Sequence, residues 1–261
     1  AARRGDANAA VVTATAALEA ARRSRDPALE GLSLLRLADA RYRTFDGHQA
    51  ALDHATRATA IFERLGDRAR QGRARCLQGF AFSRQSRVAE SQQAAAEALA
   101  LALACGDLQG QGSALNLLTY HMPDMALRLK RLHQALAAYK SAGDVPGQAA
   151  IVNNLGNAYM ALGMYRRARR LYREAVAIGR RTGVPSHVPT WNLSQIEIAL
   201  FHPEAAAAHA ADWEAQLRAL GLSAAKPYES FVRGQLALRQ GQAAQALPLF
   251  ARALRQLGAG V

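Results

Sequence analysis

Cysteine is scarce: Cys76 and Cys105 are the only two, and no CxxC pair occurs. That excludes zinc ribbons, dithiol redox motifs and disulfide-stapled scaffolds, and it suits a reducing, cytoplasmic compartment. Lysine is nearly missing, since only Lys130, Lys140 and Lys226 stand among 33 basic residues. Aromatic residues make up 6% of the chain, too few for a β-rich core. No apolar run approaches the roughly 20 residues of a membrane span. The longest, Ala98–Cys105, lies between Glu97 and Asp107. Arg3-Arg4 ahead of Val11–Ala17 has the outline of a signal peptide. Its apolar stretch is weak, however, and Glu19, Arg22 and Arg23 follow at helical spacing, so the segment reads as a helix. The first residue is not Met, which raises the expectation of a piece of a longer polypeptide.

What is abundant is alanine, 60 of 261 residues, in a chain that is 50% hydrophobic and 20% charged. This is the composition of a helical globular protein. The net charge is +13. It is uneven: residues 145–184 hold seven basic side chains against one acidic, or +6. An Ala- and Arg-rich composition explains part of the excess, and an acidic partner would explain the clustering.

Glycines mark a rhythm. Gly66, Gly106, Gly143, Gly183, Gly221 and Gly258 are spaced by 40, 37, 40, 38 and 37 residues, each after a long amphipathic stretch. Glycine accepts the left-handed conformation that ends a helix, and the Asp that follows at 67, 107 and 144 can cap the next one. A second break divides most intervals, at Phe45-Asp46-Gly47, Met122-Pro123-Asp124, Leu162-Gly163, His202-Pro203-Glu204 and Gln240-Gly241. Each unit is thus two short helices, which must stack on their neighbours to bury their apolar faces: an α-solenoid.

The run Asn154-Leu155-Gly156-Asn157-Ala158-Tyr159, followed by Leu162-Gly163-Met164-Tyr165, Ala168, Tyr172 and Ala175, resembles a tetratricopeptide repeat (TPR). Gly79, Phe82 and Ala98 fall in the same register, as do Tyr42, Ala51 and Ala58, and Gly234, Gly241, Ala246, Phe250 and Ala253. Two units depart from the pattern. Asn116 and Thr119 stand where Gly and Tyr are expected, and Ser194, Glu197 and Trp213 replace Gly, Tyr and a small residue. The period of 38–40 resembles the extended variety of bacterial regulatory and signalling proteins rather than the usual repeat of about 34. The resemblance implies an all-α, right-handed superhelix of about six helix-turn-helix repeats after an N-terminal helix. It is read as one solenoid domain over 1–261, with units 1–26 (partial), 27–66, 67–106, 107–143, 144–183, 184–221 and 222–261.

Catalytic signatures are missing: no HExxH, GxSxG, P-loop or EF-hand loop occurs. Gly110-Gln111-Gly112 reads as a turn between helices, not a dinucleotide loop. The seven histidines are scattered without helical pairing. The expectation is a protein without catalytic residues, cofactor or metal.

In the resembled family the first helices of successive units line a concave groove. The inward positions carried over are Arg36, Arg43, Arg73, Cys76, Phe80 and Arg84 early; Tyr120, His121, Asn153, Asn157 and Met160 in the middle; and Trp191, Asn192, Gln195, Ile198, Tyr228, Phe231, Gln235 and Arg239 late. Guanidinium groups suit carboxylates or phosphates, amides suit a peptide backbone, and aromatic rings supply anchor area. Arg166, Arg167, Arg169, Arg170 and Arg173 crowd one second helix and read as a solvated outer face. Without aromatic interleaving or a reader module they fit an acidic protein surface better than nucleic acid. The resemblance therefore implies a protein- or peptide-binding scaffold or sensor, with an acidic segment suited to the arginines. A self-associating structural module, joined through uncapped ends into a homo-oligomer, and a small anionic effector site stay open as alternatives.

Overall fold

The computed structural model describes residues 7–44, 47–220 and 226–258, with backbone alone for 7–8, 226–229 and 257–258. Arg3-Arg4, Phe45-Asp46, Gly221 and the side chain of Tyr228 lie outside the described residues. Among those residues the chain forms thirteen α-helices: α1 (Ala7–Ser24), α2 (Pro27–Tyr42), α3 (His48–Arg64), α4 (Arg68–Arg84), α5 (Val88–Cys105), α6 (Leu108–Leu118), α7 (Met125–Ser141), α8 (Val145–Ala161), α9 (Tyr165–Thr182), α10 (His187–Ala199), α11 (Pro203–Ala219), α12 (Lys226–Arg239) and α13 (Ala243–Gly258). The architecture is all-α and solenoidal: an N-terminal helix, then successive helix pairs.

The glycine rhythm is conformational. Gly66, Gly106, Gly143 and Gly183 close their units with φ between +65° and +69°. At the turn inside each pair, Gly163 and Gly241 take the same conformation, whereas Ser86, His121 and Phe201 adopt it without being glycine. Those three turns carry a strain that glycine avoids. Asp67 and Asp144 cap α4 and α8 by accepting backbone N–H bonds from Arg70 and Gly147. Asp26 and Asp124 do the same for α2 and α7, which the glycine rhythm did not reveal. Gly110 and Gly112, read as a turn, instead lie inside α6. At Gly112 a side chain would meet the ring of Tyr139 at 2.9 Å, so the glycine is there for helix packing.

Two compact units divide the chain, Ala1–Ile151 and Val152–Val261, with the boundary inside α8. In the first unit α1 packs on α2, and the pairs α2–α3, α4–α5 and α6–α7 follow one another. The first helices α2, α4 and α6 also touch in turn, forming one wall. The core is built from small residues at helix crossings, with Ala55, Ala58, Ala74, Ala81, Ala95 and Ala114 fully buried beside Leu34, Phe62 and Leu117. This is where the alanine excess goes. In the second unit α9 packs on α10, the pairs α10–α11 and α12–α13 follow, and α10 meets α12.

Candidate ligand-binding site

In the first unit a cavity of about 350 Å³ opens on the wall made by α2, α4 and α6. Leu32, Leu35 and Arg36 come from α2, Arg73, Cys76, Leu77 and Phe80 from α4, and Gln109, Gly110 and Ser113 from α6. An aromatic row crosses the same wall. Tyr42 lies 5.7 Å from Phe80, and Phe80 lies 5.6 Å from Tyr120 in an edge-on contact. The Arg84 guanidinium stands 6.0 Å over the Tyr42 ring. Burial pushes the Tyr120 hydroxyl up to about 12, so it stays neutral and serves as a donor or an apolar surface.

Most charges at this wall already have partners. Arg73 donates two hydrogen bonds to Asp107, both 2.9 Å. Burial alone would raise the Asp107 carboxyl, but the Arg73 bond and the N–H groups of Gly110 and Gln109 hold it below the usual carboxylate range. Arg70 pairs with Asp67, and Arg43 with Asp39 at 3.2 Å. His121 bonds Ser83 at 2.9 Å. Arg36, exposed at the cavity, has no ion-pair partner among the described residues. The free charge of the cavity is therefore one guanidinium.

Cys76 is buried, and burial pushes its thiol up to about 12. A thiol so protonated is inert at neutral pH. Titration of the native protein with a thiol reagent at pH 8 is expected to modify exposed Cys105 and leave Cys76, with both reacting after denaturation. Two fast-reacting thiols in the native state would contradict this burial.

The second unit brings the sequence-selected amides together. Asn192 donates to Asn153 Oδ1 at 2.9 Å and to Asn157 Oδ1 at 3.2 Å. The Tyr172 hydroxyl donates to Asn157 Oδ1 at 2.8 Å and approaches Met160 Sδ at 3.6 Å. Tyr172 is fully buried against Gly156. Thus Asn153, Asn157 and Asn192 hold one another, and the acceptor of Asn157 is already used. Gln195 has a buried Nε2, and Gln235 a buried Oε1, with no hydrogen-bond partner among the described residues. Trp191 packs against Trp213 with ring centres 4.7 Å apart and planes tilted by 52°, so the large residue at 213, where a small one is usual, fills space beside another ring.

Sequence reasoning missed Glu197. Its side chain has no exposure, and it accepts from Arg169 at 3.3 Å and Arg173 at 3.0 Å and bonds His202 Nδ1 at 2.8 Å. Burial alone would raise this carboxyl; the His202 hydrogen bond and the two guanidinium groups outweigh it and keep it below the ordinary range. The basic helix is therefore not wholly a solvated face. Arg169 and Arg173 serve Glu197, Arg180 pairs with Asp212 at 3.2 Å, and Arg167 lies 4.0 Å from the Tyr159 ring centre. The available signal was a lone acid at a tyrosine position, one unit after a +6 segment.

Among the described residues no three His, Cys, Asp or Glu side chains converge as metal ligands, and no helix is long and apolar enough to cross a membrane. Helix pairs stacked in sequence, with a wall of first helices, define a helical-repeat protein. One of these pairs is of the tetratricopeptide type: the family described as Tetratricopeptide repeat matches residues 148–187. No curated protein matches the sequence. Among solved structures, the apo form of RapI superposes with a TM-score of 0.65 at 12% identity, over 98% of this chain and 94% of that one. BtubC (BKLC) from P. vanneervenii superposes at 0.55 with 18% identity, over 97% and 91%. A Rap protein complexed with competence and sporulation factor does so at 0.59 with 15% identity, over 88% and 76%. At these identities the likeness is one of fold.

Proposed function

We propose that the protein is a non-enzymatic binding scaffold or sensor module whose first-unit wall holds a segment of a partner protein. The observation that carries this reading is the Tyr42–Phe80–Tyr120 row beside a cavity of about 350 Å³ with one unpaired guanidinium, Arg36. Aromatic floor supplies area with little side-chain entropy to lose, and a single cation fixes orientation. The solved Rap structure with a bound competence and sporulation factor is of similar fold and supports a binding role. A place in a bacterial signalling protein and a cytoplasmic location belong to the same proposal.

The test is selection of binders from a random 12-residue peptide library against the full chain. Selected peptides are expected to carry a carboxylate. Their dissociation constants are expected to rise about tenfold or more with Arg36→Glu or Phe80→Arg, the size of losing a charge-assisted bond or an aromatic anchor. Binders indifferent to both substitutions would reject the assignment.

A further inference from the structure

We infer that the outward face of α9 is a docking surface for an acidic helix of a partner protein. The arginines of α9 fall into two sets. Arg169 and Arg173 hold Glu197, Arg180 holds Asp212, and Arg167 lies over the Tyr159 ring. Arg166, Arg170 and Arg181 are exposed and make no ion pair among the described residues. The one acid of the helix, Glu174, is exposed as well and pairs with none of them. At about 100° per residue, Arg166, Arg170, the exposed Ala177 and Arg181 fall within about 60° of arc along about 22 Å of helix. The fold gains nothing from this row. Arg166 and Arg170 are like charges one turn apart, which disfavours a helix, and Arg166 stands in the first turn, where the helix dipole disfavours a cation. A second observation is apolar. Leu162, Met164 and Tyr165, at the same end of the helix, are 45%, 44% and 39% exposed.

The chemistry of the occupant follows. Three free guanidinium groups in a line take carboxylates, and their spacing of four and eleven residues is itself a helical repeat. A partner helix lying along α9 meets them with acids at the same spacing, and Ala177 leaves room for its backbone to come close. An apolar side chain beyond its acids covers Leu162, Met164 and Tyr165. A lipid surface fits less well. A helix lying in a membrane interface needs an apolar face along its length, whereas the outward row of α9 is arginine and alanine, with apolar side chains at one end alone. Single-stranded nucleic acid needs successive aromatic platforms for its bases, and Tyr165 is the one exposed ring on α9.

The test is fluorescence anisotropy with the full chain and a rhodamine-labelled, alanine-rich helical peptide. The probe carries leucine at each end and glutamates four, eleven and fifteen residues after the first, a stripe that meets the arginines in either direction. The control has the same composition with its glutamates spread around the helix. At ~50 mM salt, where surface charges are weakly screened, the striped probe is expected to bind about five- to tenfold more tightly than the control, the joint effect of three exposed ion pairs. Arg166→Gln combined with Arg170→Gln is expected to abolish that preference. The urea midpoint is expected to stay unchanged or rise, because neither side chain has an ion-pair partner to lose, so lost binding is not lost folding. Absence of saturable binding, equal affinity for the two peptides, or a preference that survives the double substitution would overturn the inference. So would loss of probe binding on Arg36→Glu alone, which would place the probe on the first-unit wall. Tighter binding to phosphatidylglycerol vesicles or to an oligothymidylate, lost in the same double variant, would overturn it in favour of a lipid or nucleic-acid surface.

Discussion

Replacing Arg169 and Arg173 together by alanine is expected to destabilise the second unit by about 3 kcal/mol, the cost of leaving a buried charge with His202 as its one remaining partner. Glu197 has no exposed surface, so it cannot turn to water when its donors are lost. The single variants are expected to cost much less. Arg173 has a side chain 56% exposed and contributes one of three bonds, leaving Arg169 and His202 in place. The double loss should thus exceed the sum of the singles, the signature of a shared partner. Glu197→Gln supplies the pH test. The Glu197 carboxyl sits below its ordinary value in the folded state. Its contribution is therefore complete above the unfolded value of about 4.3 and is lost as pH falls through the lower folded value. The stability gap between the parent and Glu197→Gln, read from urea midpoints, is expected to be widest near neutral pH and to narrow below pH ~4.3. A gap independent of pH would contradict the ionised, paired Glu197.

Gly156→Ala is expected to destabilise by about 1–3 kcal/mol through overpacking, although alanine is the better helix former by about 1 kcal/mol. An added Cβ would lie 2.5 Å from Tyr172 Cε1 and 2.7 Å from Cδ1. The ring cannot retreat, because it is fully buried and its hydroxyl is bonded to Asn157 at 2.8 Å. Gly72 is the internal contrast. There the nearest atoms are Leu101 Cβ at 3.3 Å and the Ala98 carbonyl at 3.4 Å, so a small adjustment suffices. Gly72→Ala is expected to stay within about 0.5 kcal/mol of the parent, packing strain offsetting helix propensity. Chemical denaturation separates the two outcomes. Equal effects at Gly72 and Gly156 would mean that the helix crossing at Gly156 is looser than the structure has it.

The sequence exposed features that act locally. A glycine that ends a helix does so through its own φ, so Gly66, Gly106, Gly143 and Gly183 could be recognised without knowing the neighbours. The turns at His121 and Phe201 carry no glycine and were marked instead by the prolines that follow at 123 and 203, while the turn at Ser86 has neither signal. Gly110 and Gly112 misled for the converse reason: glycine also serves where a ring such as Tyr139 crosses close to a helix. On the first-unit wall the positions of Arg36, Arg73, Cys76 and Phe80 were readable from the repeat register, and all four line one cavity. Which arginine stays free was not readable. Arg73 is taken by Asp107, a residue 34 positions away, and only the stacking of α4 on α6 decides that pairing. Glu197 was hidden in the same way, since its donors lie 24 and 28 residues upstream on another helix.

The most direct test of the scaffold reading is amide hydrogen exchange of the full chain with and without a library-selected peptide. Protection is expected along the wall formed by α2, α4 and α6, centred on residues 36–42, 73–80 and 113–120, with little change in α3, α5 and α7. Protection confined to α3, α5 and α7, or none at saturating peptide, would contradict it.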